Sequence, residues 1–329
     1  MKVVVAGLGS IGRRHARNLV DLGVDTVLGC EPDAGARETA RRDLGIEVVP
    51  ALAQALDRAP DAVLVCTPTH EHLGVATAAL EAGAHLFIEK PIAATLDGVA
   101  ALVAGARAHR RVVLVGCNMR FHPGVAHLHE TLERGRIGRT LYVRARFGHY
   151  LPNWRPGTDY RRSYSARRSE GGGILMESVH ELDYVQWLGG EVAAVVAHTA
   201  RLGELEIDSE DFAAVTLSLK SGAIAEILVD YLSPLKLRGC EVVGTAGVVR
   251  WTSEGKAPER VRVVWGGIDG GEDVLYASDA YDGNLMYVEE MRHFLACLAG
   301  EAVPCLDAEQ AARVLDLALM AREAAGRVR

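Results

Sequence analysis

The chain opens MKVVVAGLGSIGRRHARNLVDLG, an apolar run that meets glycines at positions 7, 9 and 12 before Ile11, His15, Leu19 and Leu22 fall on one helical face. A lone GxGxxG is a weak signal. Placed between an N-terminal strand and an amphipathic helix, it is the fingerprint of a turn that cradles a dinucleotide. Gly7 permits the tight turn, Gly9 lets the backbone approach a pyrophosphate, and Gly12 allows close helix packing. Leu8, Ser10 and Ile11 complete the loop, whose N–H groups join those of the helix N-terminus in facing the anion. A merely flexible loop is the alternative. His15, on the core stripe, reads as a packed histidine rather than a ligand.

The first third continues in the same style. Short apolar runs at 3–6, 26–30, 47–49, 62–66, 85–88 and 112–116 alternate with helix-patterned segments. That is the signature of a doubly wound parallel sheet with crossover helices, an α/β Rossmann domain. Glu31 ends the second strand 19 residues after Gly12, where a carboxylate accepts from the adenosine ribose hydroxyls and repels a 2′-phosphate. NAD is therefore expected over NADP, with Arg37 and Arg41 further along the next helix as the residues that could reverse the preference.

A chain of 329 residues, 49% hydrophobic, is long enough for two domains. Its net charge of −7 disfavours nucleic acid and membrane surfaces as partners and leaves a small molecule as the expected one. The N-terminus shows no secretion signal, and no apolar run approaches the roughly 18 residues of a membrane span. The six cysteines have no CxxC spacing and read as buried thiols of a cytoplasmic protein. Only five lysines occur against many arginines, so a lysine in a special place carries information.

After Asn118 the pattern changes, and the expected division is 1–118 for the dinucleotide-binding domain and 119–329 for a substrate-binding and oligomerisation domain. A helix near 125–133 leads to a strand near 141–147, a long polar and aromatic loop, and a helix carrying His180. Alternating runs at 192–199, 212–219, 224–231, 241–249 and 260–264 read as an open, mainly antiparallel sheet, giving an α+β domain. Two helices close the chain, the second opened by Asp307 and Gln310 in a capping box.

Three further segments carry chemistry. Residues 66–72, CTPTHEH, and 89–91, EKP, stand at the C-terminal ends of predicted strands, where ligands bind in open α/β sheets. In the first, Cys66, Thr67, Pro68, His70 and His72 are candidate cofactor contacts. In the second, Glu89 and Lys90 are, with Pro91 holding the lysine in a rigid turn. A lysine directly after the apolar strand HLFIE is costly to bury without a partner or a role, the alternative being a solvated loop lysine. Residues 171–183 read GGGILMESVHELD, and a helix from about Ile174 would bring Glu177, His180 and Asp183 towards one face. A histidine flanked by carboxylates suits proton transfer near neutral pH, and a solvated helix face is the competing reading.

With GLGSIG, CTPTHEH, EKP, GCNMRF and GGGILMESVHELD together, essentially the whole chain resembles the glucose-fructose oxidoreductase, inositol dehydrogenase and rhizopine-catabolism family, written Gfo/Idh/MocA. The resemblance implies a C-terminal domain whose large sheet mediates homodimers or homotetramers, with the active site between the domains. It implies that Lys90 meets both nicotinamide ribose and the reacting substrate oxygen, that His180 is the acid/base, and that Asp183 binds a substrate hydroxyl. Asn118 is carried over as a cofactor contact and Arg120 as a substrate contact. The family usually has Asp, three residues, then His; here the nearest carboxylate is Glu177, three positions before His180, so its catalytic role stays open.

The resemblance further implies hydride exchange between NAD and a secondary alcohol or ketone of a sugar, nucleotide sugar, amino sugar or cyclitol, in a biosynthetic setting. Tyr150, Trp154, Arg155 and Tyr160 lie in an arginine-rich aromatic loop, 150–168, that suits sugar rings and phosphates, or else forms a solvated or subunit-contact surface. Two other readings keep the same motifs: NAD-dependent glycoside cleavage through transient oxidation, and a non-catalytic NAD or sugar sensor, against which the presence of both Lys90 and His180 weighs. His70 with His72, and His122 with His127 and His129, lack metal-site spacing, and no metal is expected.

Overall fold

The computed structural model describes residues 1–155, 157–255 and 258–325. The chain divides into two compact units, Met1–Cys117 with Tyr287–Leu315, and Asn118–Met286 with Asp316–Arg329. Asn118, expected to close the first domain, clusters with the second unit, and residues 287–315, within the expected run 119–329, cluster with the first unit. The reason is apolar burial, since Met291, Phe294 and Cys297 recur at helical spacing and join the same core as Val3, Leu19, Phe87 and Leu114.

In the first unit, strands β1 (Lys2–Ala6), β2 (Thr26–Cys30), β3 (Glu47–Val49), β4 (Ala62–Val65), β5 (His85–Glu89) and β6 (Val113–Gly116) form one sheet in the order β3-β2-β1-β4-β5-β6. All the pairings are parallel. Val3 to Ala6 and Ala62 to Val65 are buried throughout, as a sheet covered on both faces requires. The connections carry α1 (Ser10–Asp21), α2 (Ala34–Leu44), α3 (Leu52–Leu56), α4 (His72–Glu81) and α5 (Val99–Ala108). Strand order reverses between β1 and β4, the switch point at which such sheets bind ligands.

The second unit is built on β7 (Thr140–Gly148), β8 (Val192–Ala200), β9 (Phe212–Leu219), β10 (Ile224–Asp230), β11 (Leu237–Gly244), β12 (Gly247–Glu254), β13 (Glu259–Gly267) and β14 (Glu272–Tyr281). They form one sheet, β14-β13-β12-β11-β7-β10-β9-β8, antiparallel except for β7 with β10. Helices α6 (Pro123–Glu133) and α8 (Val179–Gly189) pack against it, preceded by the short α7 (Ile174–Glu177). Gly124 makes that packing possible, because a Cβ there would lie 2.3 Å from the buried Trp251 ring. The remaining helices are α9 (Asn284–Leu298) and α10 (Ala308–Ala325). The α10 N-terminus carries the expected capping box: the Gln310 N–H donates to Asp307 Oδ1 at 2.7 Å and the Asp307 N–H to Gln310 Oε1 at 3.1 Å.

Three expectations need correction here. Residues 241–249 are not one strand: they straddle the turn between β11 and β12 at Thr245 and Ala246, which an unbroken apolar pattern conceals. Strand β14 was not foreseen, because an edge strand reading EDVLYASDAY is mostly exposed and carries no clean alternation. The helix carrying His180 breaks at Ser178, whose φ of −93° and ψ of 26° separate α7 from α8, so Glu177 does not share a helix with His180 and Asp183.

All six cysteines are free thiols, five of them buried. Among the described residues no helix is long and apolar enough to cross a membrane.

His122 caps α6, its Nδ1 accepting from the Gly124 N–H at 3.0 Å, and it is buried between the rings of Trp251 and Tyr281. Burial, only partly countered by the Glu259 charge, drives its pKa down to about 3, with Arg238 and Lys236 adding to the fall. Since the folded value lies below the unfolded 6.5, the unfolded chain binds the extra proton between those limits. Stability should thus be lost as pH falls from about 6.5 towards about 3, at up to ~1.4 kcal/mol per pH unit from this group. Urea unfolding of His122→Asn, which can still cap the helix, should show a shallower acid-side loss than the parent chain.

Candidate active site

The glycine turn closes at the C-terminal end of β1. Gly7 adopts φ +89°, and a Cβ on it would lie 2.7 Å from the Cys66 carbonyl oxygen. A Cβ on Gly12 would lie 1.9 Å from the Gly7 carbonyl oxygen, so α1 can start this close to the turn only without a side chain there. Gly9 differs: nothing lies within 4 Å of its would-be Cβ, and it is the N-cap of α1 with no side chain to cap the helix. A helix N-terminus with exposed Gly9 and Ser10 and open space above its backbone fits a bound pyrophosphate. The Leu8 side chain points into the core, so its part in the turn is its backbone N–H.

That N–H donates to Glu31 Oε2 at 2.9 Å, and the Asp33 N–H donates to Glu31 Oε1 at 3.0 Å. The carboxylate at the end of β2 is thereby held beside the turn, with lone pairs left for ribose hydroxyls. The two arginines that could have favoured a 2′-phosphate are committed elsewhere. Arg37 donates to the Glu31 and Pro32 carbonyls, and Arg41 donates to the Val48 carbonyl.

The ends of β4 and β5 lie on the same rim of the sheet, with β4 between β1 and β5. Cys66 is buried, and burial pushes its thiol well above the ordinary range, so it acts as a small apolar group. Thr67 is partly exposed, whereas Pro68 and His70 face solvent. His72 is buried with one ring nitrogen 2.9 Å from the Thr67 carbonyl and the other 2.9 Å from the Pro91 carbonyl. It ties the two strand-end loops together, so this candidate cofactor contact lies beneath the loops, without a surface of its own. Lys90 follows, partly exposed, and its peptide bond to Pro91 is cis.

Glu89 turns inwards. His15, expected only to pack, places Nε2 2.7 Å from Glu89 Oε1 and has no exposed surface. Burial raises the Glu89 carboxyl, but the His15 hydrogen bond and the charges of His15, Lys90 and His72 outweigh it and hold it below the usual carboxylate range. The sequence reading missed this contact. A histidine in an otherwise apolar stripe was its only signal.

In the second unit two of the three glycines before His180 do steric work. A Cβ on Gly172 would lie 2.2 Å from the Tyr164 carbonyl oxygen, and Gly173, at φ +111°, leaves room for the Glu210 carboxylate. Arg322 donates to the Gly172 carbonyl at 3.0 Å and pairs with Glu210 at 3.2 Å, two residues that the sequence did not flag. His180 sits in the first turn of α8, partly exposed. Glu177 accepts from the Ser165 hydroxyl at 2.9 Å. Asp183, expected to bind a substrate hydroxyl, is instead fully buried and gives both oxygens to Arg120, at 2.6 and 2.9 Å. Arg120, the other expected substrate contact, is correspondingly withdrawn and stacks over Trp187, whose ring also stacks on His129 at 3.8 Å. Asn118 is buried at the start of this unit.

The aromatic loop folds on itself in short 3₁₀ turns. Trp154 donates to the His149 carbonyl and packs edge-on to Tyr231; the Tyr160 hydroxyl accepts from the Glu206 N–H; Arg155 lies over Tyr164; Tyr150 is exposed. Arg161 is paired with Asp159 and Glu206, and Arg167 with Glu170.

Turn, strand-end carboxylate and rim lysine define a dinucleotide-binding oxidoreductase. Residues 1–117 match the oxidoreductase family with an NAD-binding Rossmann fold, GFO_IDH_MocA, and residues 125–250 match the GFO/IDH/MocA C-terminal domain. The chain belongs to the Gfo/Idh/MocA family of NAD-binding oxidoreductases. The myo-inositol 2-dehydrogenase of Thermotoga maritima is 32% identical over 238 residues, 69% of this chain and 67% of that protein. The inositol 2-dehydrogenase/D-chiro-inositol 3-dehydrogenase of Lacticaseibacillus casei is 31% identical over 271 residues, covering 78% and 74%. In fold, the chain matches the WlbA dehydrogenase from Bordetella pertussis, solved with NADH and UDP-GlcNAcA, at a TM-score of 0.80 and 23% identity over 99% of this chain and 97% of that one.

Two substitutions check the cofactor site. Gly12→Ala should abolish NADH binding in a fluorescence titration, because a methyl group overlapping a backbone oxygen must displace α1. Glu31→Ala should weaken NADH about 10- to 150-fold, the loss of one hydrogen bond to a charged acceptor, and bring NADPH affinity closer to that for NADH.

Proposed function

We propose that this protein is an NAD-dependent dehydrogenase of an uncharged cyclic polyol, a cyclitol or free sugar, oxidising or forming a secondary CH–OH group. The observation that carries this reading is Lys90, presented on the same strand-end rim as the glycine turn with only β4 between their strands. A cation there, on a loop clamped by His72 and with Glu89 fixed by His15, is built to meet developing negative charge rather than to sit in solvent.

Residues 7–12 and Glu31 hold NAD, which supplies the hydride acceptor when bound. His180, as neutral imidazole, takes the proton of the substrate hydroxyl, and the Lys90 ammonium stabilises the oxygen as it gains charge. Reduction runs the same transfers in reverse. Glu177, held by Ser165, supports the His180 segment, and the Arg120–Asp183 pair braces the helix that carries it.

An uncharged substrate is favoured over a nucleotide sugar by the arginine-rich loop. Arg161 and Arg167 are already neutralised within it, which removes two of the guanidinium groups that a phosphate would need. The relatives named above, which carry inositol dehydrogenase names, support the same choice.

An absorbance screen for NADH over inositols, free sugars, aminocyclitols and nucleotide sugars, with NAD and NADP, tests this. Turnover of an inositol or sugar with NAD is expected. Turnover of nucleotide sugars alone would overturn the substrate class, and a blank across the panel would overturn the dehydrogenase. Lys90→Met and His180→Ala should each lower kcat/KM on the substrate found by roughly 10²- to 10⁴-fold while NADH binding changes little.

A further inference from the structure

Beneath the Lys90 turn lies a cluster that the proposed chemistry does not use. His15 from α1, Glu89 from the end of β5 and Glu290 from α9 bring their side-chain nitrogen and oxygen atoms within 4.8 Å of one another. His15 and Glu290 have no exposed surface at all, and Glu89 very little. Glu290 therefore brings a second carboxyl group into a site that already holds an ionised one. Two carboxylates at that separation, out of water, do not both ionise.

Which of the two keeps the charge follows from their neighbours. Glu89 has the 2.7 Å contact with His15 and is followed directly by Lys90, whose charge favours an anion there. Among the described residues neither Glu290 oxygen has a hydrogen-bond partner, and burial together with the negative Glu89 raises its carboxyl well above the usual range. The other ionisable groups packed around the cluster are Arg14 and Tyr287, which stack on each other, Cys66 and His72. Burial keeps Cys66 and Tyr287 protonated.

We propose that Glu290 is a neutral carboxylic acid packed beside the ionised Glu89, and that the His15–Glu89–Glu290 cluster is the positioning device for Lys90. His15 Nε2 holds one Glu89 oxygen at 2.7 Å, and an uncharged Glu290 fills the same buried pocket without a second anion to repel the first. Glu290 is on α9, far along the chain from α1 and β5, so a late helix supplies the third member of the cluster beneath the lysine turn.

The proton and the positioning are separable, and only the second rests on the dehydrogenase role proposed for Lys90. Infrared spectra of the full-length protein at neutral pH should contain a protonated-carboxyl C=O band that shifts in D₂O and disappears in Glu290→Gln. Absence of that band from the parent overturns the protonated acid, whether or not the protein turns over substrate. For positioning, Glu290→Leu should lower kcat at least about tenfold with NADH affinity changed less than about threefold, as the packing beside Glu89 that steadies the reacting lysine changes. Glu290→Gln, which keeps the size and the uncharged polar character of the acid, should restore most of that loss. A glutamine as damaging as leucine means that Glu290 acts as a carboxylate and sinks the proposal, and so does a leucine variant with unchanged kcat. An inactive parent that still shows the band fails the dehydrogenase reading and the positioning role, and leaves the proton assigned.

Discussion

There is no space for a side chain on Gly12, and much of the first unit follows from that. With the Gly7 carbonyl where a Cβ would have to be, α1 begins in direct contact with the turn that ends β1. The same turn leans on the backbone of Cys66 at the end of β4, since Gly7 itself has no room for a Cβ there. His72 links that loop to Pro91, and His15, one turn into α1, reaches back to Glu89. The anion-binding helix, the middle loop and the lysine turn are thus joined by contacts no longer than a hydrogen bond. A shift in one must be felt by the others, and interiors this closely packed transmit such strain.

The second unit solves a comparable problem with charge as well as shape. The glycine-rich entry to His180 is pressed against carbonyl oxygens and the Glu210 carboxylate, and Arg322 from α10 satisfies both Gly172 and Glu210. Arg120 and Asp183 form a buried bidentate pair that fixes α8 to the segment after β6. Buried pairs of this kind contribute little net stability, but breaking one side leaves a charge stranded. The pair fixes the orientation of the helix that carries it.

Much of this was legible in the chain. The strands of the parallel sheet could be read because burial on both faces makes them continuous apolar runs, and the glycine turn because its geometry admits no other residue at positions 7 and 12. Glu31 could be placed from its spacing alone. The turn within residues 241–249 was illegible because the apolar pattern runs on across it, and the exposed β14 because it has no hydrophobic period. The pairing of Asp183 with Arg120 was illegible because a motif records which residues recur, not which of them face each other, and 63 positions of chain separate this pair. The pairing of Arg161 with Glu206, 45 residues downstream, was hidden in the same way.

By itself, then, the sequence determined the dinucleotide turn and the preference for NAD, and singled out the lysine and the histidine for which charge stabilisation and proton transfer are proposed. These depend on local backbone sterics and on residues close to one another in the chain. Only the tertiary structure decided that Arg37 and Arg41 are spent on carbonyls and that α9 returns to the first sheet. It also set Glu290, 201 residues beyond Glu89, in a dry pocket beside it. Such outcomes are set by which side chains share a low-dielectric interior, where a single unpaired charge is costly, and no local pattern encodes that.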